Sequence, residues 1–394
     1  MRLKLKSNPL VRKLDRILGV TLLFFFSIFK RKKENLASEF KKILLIRFAA
    51  MGDTVLLIPA IRSIRKKNPE AEIDFFASNI NYDVINLCPY IDYKYRFEFS
   101  KKIDKLIKNF YLIKMLRKNK YDLIIDFEPF VRLTALISYF LKGNFTIGYN
   151  TENQYKHLIF DSYVNHSNDK HEIDNFFSLI SLINCNNFDK DLELWTTSES
   201  ERKVIDKLNS LNNKEKLIVI HPSTGGVNHP RQWPEEYFIE LIKYLKTRVE
   251  CNIILIGSKS EKEVSNVIMK HLANEVYDFT GETNLYETIE LIKRANLFIS
   301  GNTGTMHIAS AFDIPLIALH GPTNPLRFGP LGKNSYVIKS QIHCSPCLNL
   351  GFEYGCDKYP CMRLITPDDV IKFINLNNVR GYPPNRSDRV RAAA

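Results

Sequence analysis

Twice along this chain, short apolar runs alternate with helix-patterned segments, and that alternation restricts the fold more than any other feature. Residues 42–48 (Lys-Ile-Leu-Leu-Ile-Arg-Phe) read as a buried strand, followed by a turn of mostly small residues, Ala49-Ala50-Met51-Gly52-Asp53. Residues 54–67 then carry Val55, Ile58, Ile61 and Ile64 at helical spacing. Further strands are expected at 72–77, 95–99, 123–126 and 145–149, with helices at 103–116 and 133–141. The polar stretch 165–171 reads as a loop entering a helix at 172–183. Residues 184–216, rich in Asn, Asp, Glu and Lys, hold few apolar anchors and mark a domain boundary. The alternation then restarts, with strands at 217–221, 252–257, 276–279, 297–299 and 315–320. Helices are expected at 234–246, 259–272 and 285–295, and from Thr303 to Phe312. Strands separated by helices pair in parallel, so each half reads as a doubly wound α/β domain.

A length of 394 residues accommodates two such domains, each with its own core. The expected division is an N-terminal segment over 1–40, a first domain over 41–190, a second over 215–375 and a basic tail over 376–394. The net charge of +13 is uneven, because ten basic residues and one acid precede Glu34. The rest is only mildly basic, which argues against nucleic acid as a partner. Seven cysteines, an odd number, with no cleavable signal sequence point to a reducing, cytoplasmic setting.

Residues 17–29 are nearly all apolar and include Leu22, Leu23, Phe24, Phe25 and Phe26. At roughly 13 residues this run is shorter than the ~20 needed to span a bilayer. Two readings stand: a terminal helix packed on the body, or a segment lying in the interface of an anionic membrane. Basic residues on both flanks, Arg12, Lys13 and Arg16 before and Lys30-Arg31-Lys32-Lys33 after, favour the membrane.

Chemistry-bearing residues gather after the strands of the second half. Ser223, Thr224, Gly225 and Gly226 follow the first, with Arg231 just before Trp233-Pro234. Gly257-Ser258-Lys259-Ser260-Glu261 follows the second, and Thr280-Gly281 the third. Gly301-Asn302-Thr303-Gly304-Thr305-Met306-His307 follows the fourth. Open α/β sheets bind ligands at the carboxyl ends of their strands. At the last turn, free backbone N–H groups of a helix start suit phosphate, and His307 lies one helical turn beyond Thr303. The plainer reading of that turn is Thr303 as a helix cap and His307 as a helix histidine with its own partners.

The order and spacing of several segments resemble the family 9 glycosyltransferases, which include the bacterial ADP-heptose:lipopolysaccharide heptosyltransferases. The segments are Ile43-Leu-Leu-Ile-Arg-Phe-Ala-Ala-Met-Gly-Asp53, His221-Pro-Ser-Thr224, Arg231-Gln-Trp-Pro234, Phe279-Thr-Gly281, Gly301–His307 and His320-Gly-Pro-Thr323. The resemblance covers roughly residues 42–373. It implies the GT-B fold, two Rossmann-like domains facing a central cleft, and sugar transfer with inversion that requires no metal cofactor.

The same resemblance assigns roles. Asp53 falls where the family places its general base, a carboxylate that takes the acceptor hydroxyl proton. Its alternative role is to cap the following helix. Arg231 matches a basic residue that offsets the donor diphosphate charge. Thr303, Gly304 and His307 match the phosphate-binding turn, and Thr224 lies in a matching donor turn. Glu261, with Glu263 nearby, is taken as the nucleoside contact. Many members carry Asp where this chain has Asn302, which keeps an acceptor and lacks the charge.

Cys344-x-x-Cys347, Cys356 and Cys361 lie within 18 positions among Gly and Pro. They read either as a structural Zn or Fe site or as four reduced thiols, with His343 able to replace one. The resemblance adds that some members bind iron through cysteines. Four thiolates would close the coordination shell, which argues against a catalytic metal.

Together these readings predict an inverting glycosyltransferase that moves heptose from ADP-heptose onto a lipid-linked lipopolysaccharide core. It would work at the inner face of the cytoplasmic membrane. The alternatives are another donor sugar, a protein acceptor, or a nucleotide-sugar-binding protein with weakened catalysis.

Overall fold

The structure is a computed structural model that describes residues 15–34, 36–186, 188–212, 216–225, 229–273, 275–348 and 359–376. Two compact units divide the chain, Met1–Glu193 and Leu194–Ala394.

The first unit is built on β1 (Lys42–Ile46), β2 (Glu72–Ser78), β3 (Tyr93–Phe97), β4 (Leu123–Asp126), β5 (Phe145–Asn150) and β6 (Ser162–Asn165). All pair in parallel, in the order β3-β2-β1-β4-β5-β6. That order reverses between β1 and β4, the switch point of a doubly wound sheet. Both faces of β1 are covered, so Ile43, Leu44, Leu45 and Ile46 are all fully buried. Helices α1 (Val20–Phe29), α2 (Met51–Lys67), α3 (Ile103–Lys118), α4 (Arg132–Leu141) and α5 (Glu172–Ser181) surround the sheet. Helices α2 and α5 pack on each other. Leu116 of α3 and Ile137 and Leu141 of α4 join Leu44, Ile46 and Ile124 in one cluster on a single sheet face.

The second unit repeats the plan with β7 (Lys216–His221), β8 (Cys251–Leu255), β9 (Tyr277–Asp278), β10 (Leu297–Gly301), β11 (Leu316–His320) and β12 (Ser335–Lys339). These strands are also parallel, in the order β12-β11-β10-β7-β8-β9, with the reversal between β7 and β10. Its helices include α6 (Ser198–Asn209), α7 (Glu235–Arg248), α8 (Lys262–Leu272), α9 (Leu285–Lys293), α10 (Gly304–Ala309) and α11 (Pro367–Leu376). Trp233 is buried in this core, and its indole N–H donates to the Ile365 carbonyl at 2.7 Å.

Three local expectations change. Helix α2 begins at Met51, so Asp53 lies inside its first turn rather than in the preceding loop. Helix α6 forms in the polar stretch read as a boundary, with the Thr197 hydroxyl accepting the Ser200 N–H at 3.1 Å. Strands β6 and β12 were not expected. Both are edge strands whose residues are half-buried or exposed, so neither carries the apolar run of a central strand.

At the N-terminus, a π-helical turn (Asp15–Gly19) leads into α1. Leu23 is fully buried against α4, and the Phe26 ring lies 5.0 Å from Tyr139 and 5.1 Å from Phe140. Asp15 pairs with Arg132 at 2.8 Å and Lys30 with Asp161 at 2.8 Å, so ion pairs hold both ends. The opposite face, with Ile17, Leu18, Phe24, Phe25, Ile28 and Phe29, is exposed. The segment thus packs on the body along one side and presents apolar surface on the other. Among the described residues no helix is long and apolar enough to cross a membrane.

Candidate active site

In the first unit, the turn after β1 carries Arg47, whose side chain is almost wholly buried. Its guanidinium donates to the Phe127 carbonyl at 2.5 Å and to Asp53 Oδ2 at 2.9 Å, and lies over the Phe176 ring at 4.9 Å. Burial pulls the Arg47 pKa down, but the charges of Asp53, Glu128 and Glu172 outweigh it and hold the group above its ordinary value. Asp53 Oδ2 also accepts the Ala50 N–H at 3.3 Å, so the carboxylate caps the start of α2 as well as pairing with Arg47. The Asp53 side chain keeps 16% of its surface exposed, which leaves it reachable from solvent.

Behind it lies a buried charge network. The Glu128 carboxylate accepts the Ala49 N–H at 3.1 Å. Lys156, fully buried, pairs with Asp126 at 3.1 Å and donates to the Thr134 hydroxyl and the Glu128 carbonyl. Burial pushes the Asp126 carboxyl up against the opposing pull of Lys156. His166 Nε2 lies 3.2 Å from Glu172. Buried charges persist only when paired and hydrogen-bonded, and the Glu128 bond to Ala49 ties this network to the turn that leads to Asp53.

In the second unit, the turns after β7 and β10 converge. A Cβ on Gly301 would lie 2.7 Å from Thr224 Cγ2, so glycine permits this approach. Thr303 stands at the N-cap position of α10, yet its hydroxyl makes no cap bond. It lies instead 2.8 Å from the Thr305 hydroxyl and 3.5 Å from His221 Nδ1. His221 Nδ1 is 2.7 Å from the Thr305 hydroxyl, while its Nε2 is 3.5 Å from Glu261. Glu261 Oε2 accepts the Ser258 N–H at 2.7 Å and the Ser258 hydroxyl at 2.8 Å. Burial raises the Glu261 carboxyl, and the bonds from His221 and Ser258 outweigh it, holding the group well below the usual carboxylate range. Glu263, its neighbour, is exposed.

Arg231 crosses from the β7 turn to the β10 turn. Its Nη1 donates to the Asn302 backbone carbonyl at 2.9 Å and approaches Asn302 Oδ1 at 3.5 Å. Asn302 Nδ2 donates to the Phe328 carbonyl at 2.9 Å. A carboxylate could not make that last bond, and it would draw on the Arg231 charge. Asn at this position therefore ties the turn to Phe328 without placing a negative charge against Arg231. Thr224 accepts its restraint from Gln232, whose Oε1 takes the Thr224 N–H at 3.2 Å. His307 is buried on α10. His320 is fully buried; its pKa is pushed down to about 3, first by burial and then by the charges of His307 and Arg231. The neutral His320 ring lies 3.1 Å from the Thr323 hydroxyl.

The structure thus brings Thr224, Arg231, Asn302, Thr303, Glu261 and His307 to the turns at one end of the second sheet. It adds His221, Thr305 and His320, to which the sequence reading gave no role, although each lies in or beside a quoted motif. The signal available was position alone: each ends a strand or opens a helix there.

Cys347 and Cys361 lie near the turn after β11. The Cys347 N–H donates to the Pro322 carbonyl at 3.0 Å, and the Ser345 hydroxyl to the Gly321 carbonyl at 2.5 Å. Cys361 Sγ would lie 3.2 Å from a Cβ on Gly321. Cys344 is exposed, Cys347 half-buried and Cys361 buried, while Cys356 lies outside the described residues. Among the described residues no three His, Cys, Asp or Glu side chains are placed to hold a metal ion.

Two six-stranded parallel sheets, each with one reversal of strand order and with polar residues on its strand-end turns, match the GT-B class of α/β protein. Solved structures agree. The E. coli ADP-heptose lipopolysaccharide heptosyltransferase II aligns with a TM-score of 0.67 at 21% identity, over 86% of this chain and 98% of that one. A family 9 glycosyltransferase from Veillonella parvula aligns with a TM-score of 0.72 at 19% identity, over 86% and 97%. Lipooligosaccharide heptosyltransferase 2 of Haemophilus influenzae is 25% identical over 316 residues, covering 75% of this chain and 88% of that protein. The chain belongs to glycosyltransferase family 9 (heptosyltransferase), whose sequence model matches residues 110–356. It is a glycosyltransferase by that membership.

Proposed function

We propose that this enzyme transfers heptose from ADP-heptose to a lipid-linked lipopolysaccharide core saccharide, with inversion at the anomeric carbon. The observation that carries the reading is the second-unit cluster in which Arg231, Thr303, Thr305 and His221 surround the start of α10 within a family 9 chain. In this mechanism the donor diphosphate lies against Arg231 and the hydroxyls of Thr303 and Thr305. Asn302 and Thr224 shape the same turn, and Gly304 lets the phosphates approach the backbone. Glu261 takes the nucleoside through its carboxylate, with His221 and Ser258 fixing its orientation.

The acceptor hydroxyl oxygen attacks the anomeric carbon as its proton passes to the Asp53 carboxylate. The bond from that carbon to the diphosphate oxygen breaks, and ADP leaves with the electron pair. Arg231 and the hydroxyl donors stabilise the charge that develops on the leaving group. Arg47 aims Asp53 through their 2.9 Å ion pair, and Glu128 holds the turn that carries it. No step requires a metal. Cys344, Cys347, Cys356 and Cys361 suit a structural Zn or Fe ion by donor type.

The lipid-linked acceptor places the enzyme at an anionic membrane on the cytoplasmic side. The exposed apolar face of α1 with its basic flanks supports reversible attachment there. A thermal-shift panel of nucleotide sugars tests the donor. A ligand held at 100 times its Kd stabilises by about 2.7 kcal/mol. ADP-heptose is expected to give the largest shift, and a larger shift with a uridine or guanosine sugar would displace this reading.

A further inference from the structure

The mild positive charge left in the body of the chain has a single source. Residues 101–120 hold eight Lys and Arg and one acid, Asp104. Outside this stretch and the first 33 residues, the chain carries 41 acids against 38 bases. The stretch contains α3, which is bound to the sheet on one side only. Asn109 exchanges hydrogen bonds with the Glu98 backbone, and Leu112, Ile113 and Leu116 enter the core shared with α4. Asn109 and Leu116, the helix's buried residues, lie on that face. Along the opposite face Ile103, Ile107, Phe110 and Tyr111 recur at helical spacing, each between 50% and 74% exposed. Lys114 and Lys118 continue the same line, and Leu106 flanks it.

Leaving this much apolar surface in water is unfavourable, and a contiguous apolar patch on a soluble unit marks an interaction site. The charge around it selects the occupant. A second copy would bring the same lysines against each other. The chain's own ends repel it too, since residues 1–14 carry five bases and no acid, and residues 377–394 four bases and one acid. An anionic lipid surface satisfies both features, taking the apolar side chains at the acyl boundary and the lysine heads among phosphates. Position agrees. Helices α1 and α3 both pack against α4, α1 through Leu23 and Phe26, α3 through Leu112, Ile113 and Leu116. The two helices therefore both flank α4 in the first unit.

We propose that α3 is a second membrane-binding element, seating Ile103, Ile107, Phe110 and Tyr111 in an anionic leaflet beside α1. Two contacts on one rigid unit would bind far more tightly than either alone, and would fix which face of the first unit meets the membrane. This rests on the reading above that the enzyme works at an anionic membrane.

The test uses the full chain and sedimentation with mixed phosphatidylglycerol–phosphatidylcholine vesicles. Ile107→Ser with Phe110→Ser removes apolar contact and keeps the charge; Lys108→Glu with Lys114→Glu does the reverse. All four positions are exposed, so ADP affinity and thermal unfolding are expected to match the wild type. Each pair should weaken vesicle partitioning by about tenfold or more, and phosphatidylcholine alone should bind none of the proteins. If both variants partition like the wild type while Phe25→Ser with Phe29→Ser loses binding, α3 is no membrane contact, although attachment through α1 stands. If the wild type ignores anionic vesicles, the membrane reading falls and this inference with it. If instead the wild type forms a dimer that Ile107→Ser with Phe110→Ser dissolves, a second copy covers the stripe and the inference is wrong.

Discussion

Replacing Arg231 by Ala should cost the enzyme most of its hold on the donor diphosphate. The guanidinium is fixed by its 2.9 Å bond to the Asn302 carbonyl, which positions it at the mouth of the turn that opens α10. A hydrogen bond to a charged group contributes roughly 1.5–3 kcal/mol. Its loss corresponds to a rise of roughly 10- to 150-fold in the Kd for ADP. Arg231→Lys keeps the charge but not the planar fork, and a loss of about 3- to 10-fold is expected. Because the Asn302 carbonyl also loses its donor, Arg231→Ala should cost about 1 kcal/mol of stability, a shift of about 2–4 °C in Tm. His307→Ala should weaken ADP in the same direction. Titration calorimetry with ADP, at low and high salt, measures all three. An ADP Kd within about twofold of wild type for both Arg231→Ala and His307→Ala would place the diphosphate elsewhere and refute the reasoning.

Asn302→Asp puts a carboxylate where the amide now donates to Phe328 and gives Arg231 a competing anion. ADP affinity should fall by about 3- to 10-fold, and calorimetry showing equal or tighter binding would contradict this. Asp161 provides a pH test of α1 docking. Burial raises its carboxyl, and the bonds from Lys30, Thr146 and Lys33 outweigh that, lowering the pKa below 3.8. A depressed carboxylate contributes stability above its unfolded pKa and loses it as pH falls through the folded value. Asp161→Asn should therefore lower the urea midpoint at pH 7, with the gap closing below pH 3.8; a gap independent of pH would rule the ion pair out. Elemental analysis of protein purified without chelator should find one Zn or Fe per chain, lost in a Cys347→Ser variant with Cys361→Ser. No metal in the parent protein would reduce the cluster to reduced thiols.

Much of the fold was legible because buried parallel strands are continuous apolar runs, and β1, β4, β7, β8, β10 and β11 all are. Edge strands β6 and β12 lack that signature, since one side of each meets solvent. Helix α3 was legible as a helix, but not in its orientation. Apolar residues occur on both of its faces, and only the packing of Asn109 and Leu116 shows which face is inward. The donor turns were readable from small and hydroxyl residues placed after strands. The Arg47 network was not, because Asp53, Glu128 and Glu172 meet around one guanidinium from three distant parts of the sequence. Asn302 read as a departure from a family pattern. Its meaning depends on Phe328, 26 residues further on, whose carbonyl needs a donor.

The central claim is that Asp53 takes the acceptor's proton during heptosyl transfer. Asp53→Asn keeps an oxygen for the Arg47 guanidinium and the Ala50 N–H, so α2 should stay capped and the protein folded. The deciding measurement is the initial rate of ADP release from ADP-heptose with a lipid-linked core acceptor, wild type against Asp53→Asn, with ADP affinity measured alongside. The account predicts a rate lower by at least ~10²-fold at unchanged ADP affinity. Turnover retained within a few-fold would leave Asp53 as a helix cap and contradict the mechanism.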